Sequence, residues 1–552
     1  MRTAHLSTGA LLVSSLAVTA SADEVKIVNV KDEGHPDHGR AAVEAYDGVL
    51  PAQREAGGGT VPQLSGFPVE MGTLDTFTPS RGLALEDITG DGKLEIVGSS
   101  TDSQVYVWDH TGQLLPGFPV STIGWAQNAP SVGDVTGDGN MEIVQTTRGT
   151  TGGGRLHVFD SEGNELDGFP VNLDDGNLSH PSLHDLNGDG TLEIIVGQRD
   201  WPVGHLHIIN HDGTAWNGNW PFELDHVPTG TAAVGDVTNN GELEIFYLSF
   251  DSAYLLNLDG EPLPGWPLQI EDAAFSFQSA ALADLNDDGN LEIVVGAHQD
   301  NAGTYVFHAD GTLMSGWPQL AGTWTFCPPT VTDLTGDGNL NILSGRAGSF
   351  AGPNPGFWAW ETDGEVLPGF PYTVSPSGGS EGPLTVADIN GSGTKEIFAD
   401  SNVMEDGEGF LFGVDSEGND LPGFPLRPQG FTHLNGAMIG DITDDGTYEL
   451  AVISRLDTTA YVNVYDLPDE YVTQGDEWPT YHRRNTRGGL FDVIESIVGD
   501  LTGDGTVGGA DLGILLSEWG PCDDCDDCPA DLTGNCSVGG ADLGVLLSNW
   551  TN

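Results

Sequence analysis

The sequence predicts an all-β chain: an eight-bladed β-propeller of four-stranded blades, followed by a small α-helical C-terminal module. Three observations lead to this fold class. An acidic, glycine-containing loop recurs eight times, at intervals of 47 to 55 residues. Short apolar runs of strand length surround each copy, without helical periodicity between them. After the eighth copy, a related acidic loop occurs twice, and a helical run follows it each time.

The eight loops are the strongest signal, because chance does not place eight such strings at even spacing. They read DITGDGKLEIVG, DVTGDGNMEIVQ, DLNGDGTLEIIVG, DVTNNGELEIF, DLNDDGNLEIVVG, DLTGDGNLNILSG, DINGSGTKEIF and DITDDGTYELAVI. A β-rich run lies on each side of the loop, and a third run such as LHVFD or TYVFH follows. A fourth run leads into the next repeat. Four short strands per unit are typical of a propeller blade; an open solenoid is the competing architecture.

Aromatic–proline pairs lie between the loops and mark the repeat a second time. The nine pairs are Phe67-Pro68, Phe118-Pro119, Phe169-Pro170, Trp220-Pro221, Trp266-Pro267, Trp317-Pro318, Phe370-Pro371, Phe424-Pro425 and Trp478-Pro479. Nine pairs bracket eight loops, so one pair is left over. We therefore expect the first segment, VPQLSGFPVE, and the last, DEWPTYHRRNTRGG, to complete one blade between them and close the ring.

Each loop carries short oxygen side chains at positions 1, 3 and 5, glycine at position 6 and a carboxylate at position 9. In the first copy these are Asp87, Thr89, Asp91, Gly92 and Glu95. Glycine permits the sharp turn that directs the side chains inward. An oxygen-only ligand set with several negative charges suits a hard cation of flexible coordination, so the loops predict several bound calcium ions.

The copies differ in their ligand sets. Asn240, Asn341 and Ser392 replace acidic residues in the fourth, sixth and seventh copies, which we expect to bind calcium most weakly. The second, third, fifth and eighth copies keep all carboxylates and should bind best. The predicted ligands are Asp87, Thr89, Asp91, Glu95, Asp134, Thr136, Asp138, Glu142, Asp185, Asn187, Asp189, Glu193, Asp236, Thr238, Asn240, Glu244, Asp284, Asn286, Asp288, Glu292, Asp333, Thr335, Asp337, Asp388, Asn390, Ser392, Glu396, Asp441, Thr443, Asp445 and Glu449.

Residues 62–490 resemble the FG-GAP, or VCBS, repeats of integrin alpha-subunit propellers and of many bacterial exported proteins. The acidic loop is the most specific part of this resemblance. It departs at position 9, where the family usually has Asp and seven copies here have Glu. The resemblance implies calcium binding that mainly stabilises a hairpin.

The C-terminal loops place their last acidic residue at position 12 instead of 9, and a helical run follows. This spacing is that of an EF-hand-type calcium loop. Residues 497–552 resemble a type I dockerin, which implies calcium-dependent folding and a cohesin-like or cell-envelope partner. Cys536 stands where the second loop should have glycine. The predicted ligands are Asp500, Thr502, Asp504, Thr506, Asp511, Asp531, Thr533, Asn535, Ser537 and Asp542.

The N-terminus and the cysteines point to export. Residues 1–22 have a positive start, a short apolar stretch and a small-residue cleavage site, so they predict a signal peptide; residues 23–61 would be a linker or pro-segment. Cys522, Cys525, Cys528 and Cys536 cluster in the tail. Two disulfides of open connectivity are expected there, with a zinc knuckle as the alternative.

Composition excludes some partners. Asp and Glu number 83 against 17 Lys and Arg, a formal charge of -66. Such a surface repels polyanions, so we expect no nucleic-acid partner, and no apolar run is long enough to span a membrane. The prediction is a secreted or cell-surface protein.

A ligand surface is predicted on the loops that join the second and third strands, opposite the calcium loops. They carry scarce basic residues beside aromatic ones, an arrangement that sugar- or peptide-binding surfaces use. The candidates are Arg148, Arg199, Trp201, His298, Asp300 and Arg346, with Trp125, Asn128, His180 and Trp324 on adjoining loops.

No catalytic constellation is evident, so we predict a non-catalytic binding or adhesion protein. Its propeller would recognise a polysaccharide or surface protein, and its tail would mediate attachment or assembly. The alternative is a polysaccharide lyase, because one class of rhamnogalacturonan lyase is also an eight-bladed calcium propeller. In that case calcium would neutralise a uronate beside the proton that is abstracted.

Overall fold

The computed structural model describes residues 27–29, 61–73, 82–149, 154–173, 178–200, 202–275, 279–320, 325–346, 354–374, 379–432, 434–467, 479–480 and 482–491, and within the tail residues 512, 514–516, 519–521, 530, 532 and 536–548. The predicted signal peptide and most of residues 23–61 lie outside this part of the chain.

The described residues form 35 strands and one helix with defined bounds. They are β1 (Ile27–Asn29), β2 (Val69–Thr73), β3 (Ala84–Glu86), β4 (Glu95–Ser100), β5 (Gln104–Trp108), β6 (Val120–Ser121), β7 (Ser131–Gly133), β8 (Glu142–Thr146), β9 (Arg155–Phe159), β10 (Val171–Asn172), β11 (Ser182–His184), β12 (Glu193–Asp200), β13 (Val203–Ile209), β14 (Phe222–Leu224), β15 (Ala233–Gly235), β16 (Glu244–Leu248), β17 (Ala253–Asn257), β18 (Leu268–Ile270), β19 (Ala273–Ala274), β20 (Ala281–Ala283), β21 (Glu292–Gln299), β22 (Gly303–Phe307), β23 (Gln319–Leu320), β24 (Thr330–Thr332), β25 (Asn341–Gly345), β26 (Asn354–Glu361), β27 (Tyr372–Val374), β28 (Thr385–Ala387), β29 (Glu396–Asp400), β30 (Leu411–Val414), β31 (Ala437–Gly440), β32 (Glu449–Leu456), β33 (Thr459–Asp466), β34 (Gly520–Pro521), β35 (Ser537–Val538) and α1 (Gly540–Ser548).

These strands build eight antiparallel sheets, which are the blades of a β-propeller, so the predicted fold class is confirmed for the main body. Blades 1 to 3 are β3–β6, β7–β10 and β11–β14, and blades 4 to 6 contain β15–β18, β20–β23 and β24–β27. Blade 7 has β28–β30, and Leu426 pairs with Leu411 at its outer edge. Within a blade we call the strands a to d, from the innermost to the outermost.

Every blade is a meander, and this fixes which loops share a face. The a–b and c–d turns lie at one end of the strands, whereas the b–c turns and the d-to-a connections lie at the other. We call the first the acidic-loop face and the second the opposite face. The predicted acidic loops are the a–b turns of all eight blades.

The core lies between neighbouring blades. Strand b is buried along most of its length, as in Ile96 and Val97 or Ile194 and Ile195, all 0% exposed. Consecutive residues of a strand point to opposite faces of its sheet. Both faces of each blade are therefore covered by the adjacent blades, which explains why the strands are continuously apolar instead of alternating.

Ring closure differs from the expectation. Blade 8 consists of β31, β32 and β33, and its outer strand is β2 from the other end of the chain. Val69 pairs with Val462 and Glu70 with Tyr461. VPQLSGFPVE therefore closes the ring as predicted, but DEWPTYHRRNTRGG contributes no strand to this blade in its described residues.

The described part of that last segment lies in the central channel instead. We call residues 479–491 the axial segment. It hydrogen-bonds to the innermost strands of blade 8 through Ile439, blade 2 through Val132, blade 3 through Leu183, blade 4 through Val234 and blade 5 through Leu282. The backbone carbonyls of this segment accept hydrogen bonds from the inner edges of these a strands, which have no neighbour on that side within their own blade.

Side chains of the axial segment add further contacts. The Arg487 guanidinium is 0% exposed and donates to the carbonyls of Leu83 (2.8 Å) and Pro130 (3.0 Å), in blades 1 and 2. The Asn485 amide both donates to and accepts from the Leu85 backbone. With these bonds the segment connects six of the eight blades.

Two smaller features lie outside the ring. β1 adds a short strand to the outer edge of blade 4, with Ile27 opposite Ile270. In the tail, α1 and the β34–β35 pair surround a small core of Leu515, Ala530, Val538 and Leu546. No helix among the described residues is both long and apolar enough to cross a membrane.

Candidate metal-binding loops and ligand face

The eight acidic loops share one backbone conformation. Positions 4 and 6 have positive φ in every copy, including the non-glycine residues Asn239, Asp287 and Asp444 at position 4. Asn and Asp tolerate this left-handed region better than other side chains because they bond to nearby backbone. The sequence variation at position 4 therefore preserves the turn.

The Asp at position 1 holds this turn through its carboxylate. In the first loop, Asp87 accepts hydrogen bonds from the backbone N–H groups of Gly90 (2.7 Å), Asp91 (3.1 Å) and Gly92 (2.8 Å). The bond from the position 6 glycine occurs in all eight copies, at 2.7 to 3.0 Å. Position 1 is therefore an organiser of the loop as well as a candidate ligand.

The residue at position 9 begins strand b and is buried beneath the loop. Glu95 is 2% exposed, and its Oε2 accepts from the N–H groups of Ile88 (2.9 Å) and Thr89 (3.1 Å). The bond to the position 2 N–H recurs in every copy, at 2.6 to 3.0 Å. This carboxylate thus satisfies backbone donors that the hairpin would otherwise leave buried and unpaired.

Burial makes these glutamates weak acids. Desolvation raises the pKa of Glu142 and of Glu449 to about 7, and the carboxylates at positions 1 and 5 add to the rise. The backbone N–H donors act in the opposite direction but do not outweigh burial. The position 9 carboxylate therefore lies near the negative charges at positions 1 and 5 of its own loop.

The sixth loop shows which part of this role needs no charge. Asn341 stands at position 9, and its Oδ1 accepts from the Leu334 N–H at 3.0 Å, as the glutamates do elsewhere. Its Nδ2 donates to Glu361 at 3.1 Å. A neutral amide is therefore sufficient for the backbone bond, so the charge at the other seven copies has another cause.

The side chains at positions 1, 3, 5 and 9 are suited to a hard cation such as calcium, because apart from amide nitrogens they offer only oxygen ligands. As placed, these oxygens face the N–H groups of their own loops. Across the described part of the chain, no group of three or more His, Cys, Asp or Glu side chains is arranged to hold a metal ion. Calcium coordination by the loops stays a prediction.

Neighbouring loops touch in four pairs around this face, and we call the eight loops together the acidic ring. Lys93 Nζ donates to the Thr443 carbonyl (3.1 Å) across blades 1 and 8, and Lys395 Nζ donates to the Asp333 carbonyl (2.8 Å) across blades 7 and 6. Backbone bonds from Leu192 to Val135 and from Leu291 to Val237 make the same connection elsewhere. A change in one loop is therefore transmitted to its neighbour.

The predicted ligand-face residues lie on several blades and do not form one cluster. Arg148 lies 5.7 Å from the Trp125 ring on the blade 2 side, where the two backbones also pair. Arg346 lies 4.7 Å from the Trp358 ring in blade 6, and burial lowers its pKa. Arg199 is half-buried on β12, and Asp300 is exposed.

Other residues of the predicted ligand face are buried or hydrogen-bonded within the propeller. His298 is 2% exposed and packs edge-on against Phe250 and Phe326, so it is a core residue between blades. Asn128 donates to Thr146 Oγ1 at 2.7 Å and to the Leu178 carbonyl at 2.9 Å, so it joins two neighbouring d-to-a connections. His180 is 7% exposed. Trp201 and Trp324 lie outside the described residues.

Sequence reasoning missed the axial segment. Its signal was the run HRRNTR, three arginines in a chain that has 17 basic residues in all. Beside them lie His482 and His184, and burial lowers the pKa of His482 to about 4 and that of His184 to about 3. The run has no strand or helix periodicity, and the pattern gave no reason to place it on the axis.

The tail is described in part. Cys536 has φ 67°, the same left-handed conformation as the position 6 glycines of the propeller loops. Asp542 is buried and accepts from the Gly539 N–H at 2.8 Å at the start of α1. Ser537 lies in β35, whereas the other predicted tail ligands and Cys522, Cys525 and Cys528 lie outside the described residues. The dockerin-like module and the disulfides stay predictions.

Comparison with known proteins gives one family match and several structural likenesses. Residues 87–144 match the FG-GAP-like repeat family. No curated protein sequence matches the chain. BamB from Moraxella catarrhalis is 12% identical with a TM-score of 0.45, covering 75% of this chain and 100% of its own. The BP39L lectin from Burkholderia pseudomallei is 14% identical with a TM-score of 0.42, covering 64% and 100%. The V. cholerae biofilm matrix protein Bap1 is 13% identical with a TM-score of 0.26, covering 72% and 79%.

Proposed function

We propose that this protein is a secreted, calcium-stabilised, non-catalytic binding protein whose propeller recognises a polysaccharide or a surface protein. The observation that supports this most is the difference between the loops of the two faces. One face carries eight loops of a single conformation, which are hydrogen-bonded in pairs. The other carries loops of unequal length and composition, as expected where specificity resides.

The axial segment supports a ligand site outside the central channel. It occupies the inner edges of the a strands and buries Arg483 and Arg487, which are 2% and 0% exposed. We therefore place the proposed recognition on the loops of the opposite face. The Arg148–Trp125 and Arg346–Trp358 pairs are the best anchors there, since a guanidinium on an aromatic ring combines an apolar surface with fixed donors.

In this proposal, calcium stabilises the acidic ring. Positions 1, 3, 5 and 9 of each loop would hold the ion, which would supply the positive charge that several close carboxylates lack. Glutamates whose pKa burial has raised to about 7 would bind as carboxylates once a cation compensates their charge. The copies with Asn240, Asn341 and Ser392 would bind least.

The tail would attach the propeller to a surface or a larger assembly. Leu516 and Leu547 occupy equivalent places in the two helical runs, and both are exposed, at 53% and 52%. Trp519 is 50% exposed nearby, whereas Leu515 and Leu546 are buried in the small core. The apolar residues of these helical runs are thus divided between core and surface, and the surface part is suited to a protein partner.

The test is a glycan array and a cell-envelope pull-down with the full chain, in calcium and in chelator. We expect retention in calcium that is lost in Trp125→Ala and in Arg148→Ala. The matched control, Leu114→Ala, changes an exposed residue on the acidic-loop face and should bind like the parent. If neither glycans nor envelope extracts retain the parent protein, the proposal is wrong.

A further inference from the structure

Position 9 of an acidic loop lies opposite the residue at the end of strand c. In blade 6 this register pairs Asn341 with Glu361, and in blade 4 it pairs Glu244 with Asn257. Residues directly opposite each other in an antiparallel pair have neighbouring side chains. The base of an acidic loop is therefore accessible to one side chain from strand b and one from strand c.

In most blades the side chain at the end of strand c is occupied by its own c–d turn. Such a residue accepts hydrogen bonds from the backbone N–H groups two and four positions further along, at 2.8 to 3.1 Å, in the case of Asp109, Asp160, Asn257 and Asp415. Blade 6 differs, because the Glu365 N–H donates to Asp363 at 3.0 Å. This turn thus leaves the carboxylate of Glu361 available to the acidic loop.

The amide of Asn341 determines where this carboxylate lies. Its Oδ1 accepts from the Leu334 N–H at 3.0 Å, so its Nδ2 faces strand c, where it donates to Glu361 Oε2 at 3.1 Å. Within the described part of the chain, this is the one hydrogen bond of the Glu361 side chain. Asn341 therefore satisfies the backbone of the loop and holds a carboxylate of the neighbouring strand at its base.

With Glu361 the sixth loop has as many carboxylates as the fully acidic copies. Asp333 and Asp337 occupy positions 1 and 5, and Glu361 adds the third from strand c. Burial raises the pKa of Glu361, and the negative charge of Asp337 adds to the rise, so these two carboxylates lie close enough to interact. The fourth and seventh loops gain no such replacement, because Asn257 is neutral and Asp415 caps its turn.

We propose that Glu361 takes the place of a position 9 glutamate as a calcium ligand of the sixth loop, so that this site is built from two strands of its blade. This inference rests on the proposed calcium binding of the loops and adds the residue that completes one of them. It revises the ranking by loop sequence alone: the sixth loop joins the strong sites, whereas the fourth and seventh remain weak.

Hydrogen exchange of the full chain, followed by mass spectrometry in calcium and in chelator, measures each loop separately. At 10 mM calcium and dissociation constants of about 10⁻⁴ to 10⁻³ M, a bound ion slows exchange through loop opening by about 10- to 100-fold. We expect this slowing in the peptides that contain the fifth and sixth loops of the parent. Glu361→Gln keeps an acceptor for Asn341 Nδ2 and should abolish the slowing in the sixth loop alone.

Two further variants make this measurement specific. Glu365→Gln removes an exposed carboxylate of the same c–d turn and should leave the sixth loop protected by calcium. Asn341→Glu combined with Glu361→Gln returns the carboxylate to position 9, as in the other seven loops, and should restore the protection.

The pattern of protected loops separates the possible failures. Calcium protection of the fifth loop but not of the sixth in the parent would overturn the role of Glu361, and so would protection of the sixth loop that survives Glu361→Gln. Protection of no loop would refute the proposed calcium binding itself, and this inference with it.

Discussion

A glycine directly precedes seven of the nine aromatic–proline pairs and limits how closely two blades approach. A Cβ on Gly316 would lie 1.8 Å from the Asp363 carbonyl oxygen of the next blade, and corresponding contacts of 1.9 to 2.2 Å occur at Gly66, Gly117, Gly168, Gly265 and Gly369. At Gly218, which Asn219 separates from its pair and which has the same φ of +93°, the nearest atom is 3.2 Å away. The motif therefore serves blade packing and not only the turn.

This pair of glycines gives a matched test. Both Gly316→Ala and Gly218→Ala place an L side chain at positive φ, which costs about 1–2 kcal/mol. Gly316→Ala adds overpacking against backbone, so we expect it to destabilise by a further 1–3 kcal/mol or so. Urea unfolding of both variants measures the difference. Equal midpoints would show that the blades can separate at no cost.

Because the position 9 glutamates are buried, we expect removal of their charge to change the melting temperature. Glu449→Gln keeps the acceptor for the Ile442 N–H, as Asn341 does in its loop, and removes a carboxylate whose pKa burial raises to about 7. At pH 7.5 in chelator, we expect the melting temperature to rise by about 2 °C. In calcium the gain should vanish, because the variant loses a ligand.

The control for this prediction is Glu417→Gln, an exposed residue of a c–d turn, which should change neither melting temperature. If Glu449→Gln responds to calcium as the parent does, position 9 is not a ligand.

At the scale of elements, the axial segment is bound in the central channel and adds no strand to a blade. Arg487→Met leaves the Leu83 and Pro130 carbonyls buried without their donor, at a cost of about 1–3 kcal/mol for each unsatisfied group. Arg484, three residues earlier, is exposed, so Arg484→Met should stay within about 0.5 kcal/mol of the parent. Urea unfolding measures the stability of both variants. Similar midpoints for the two variants would contradict a structural role of this segment.

The same element predicts a pH dependence. Burial lowers the pKa of His184 to about 3 and that of His482 to about 4, below the value of about 6.5 in an unfolded chain. As pH falls from 6.5 to 4.5, the unfolded state takes up protons that the folded state does not. Each histidine therefore lowers the free energy of unfolding by about 1.4 kcal/mol per pH unit in this window.

The loop glutamates act in the opposite direction, because their raised pKa favours the folded state as pH falls from 7. The contribution of a histidine is therefore read as a difference between variants. His184→Gln should reduce the loss of stability between pH 6.5 and 4.5, whereas His211→Gln, in a c–d turn, should not. Parallel pH profiles for the parent and His184→Gln would count against the prediction.

For the whole molecule, calcium should act on pairs of loops and not on isolated loops, because the loops of blades 1 and 8, 2 and 3, 4 and 5, and 6 and 7 are hydrogen-bonded. With dissociation constants of about 10⁻⁴ to 10⁻³ M, 10 mM calcium contributes about 1.4 to 2.7 kcal/mol per occupied loop. We expect the melting temperature to rise steeply with calcium and little with magnesium, in calorimetry of the full chain. A melting temperature independent of calcium would contradict the metal assignment.

The sequence by itself determined the repeat, the blade and the turn chemistry of each loop, because these depend on residues that are close along the chain. The eight loops lie where the spacing of Asp, Gly and Glu predicts a turn between two strands. The N-terminal strand β2 was also foreseen as the closure of the ring.

Only the tertiary structure decided what residues 479–491 do and that His298 is a core residue. Each of these depends on partners far away in sequence: Arg487 contacts Leu83 and Pro130, and His298 contacts Phe326 of the next blade. Local pattern records which groups a segment carries, but the partners of a buried guanidinium or imidazole are set by how eight blades meet around one axis.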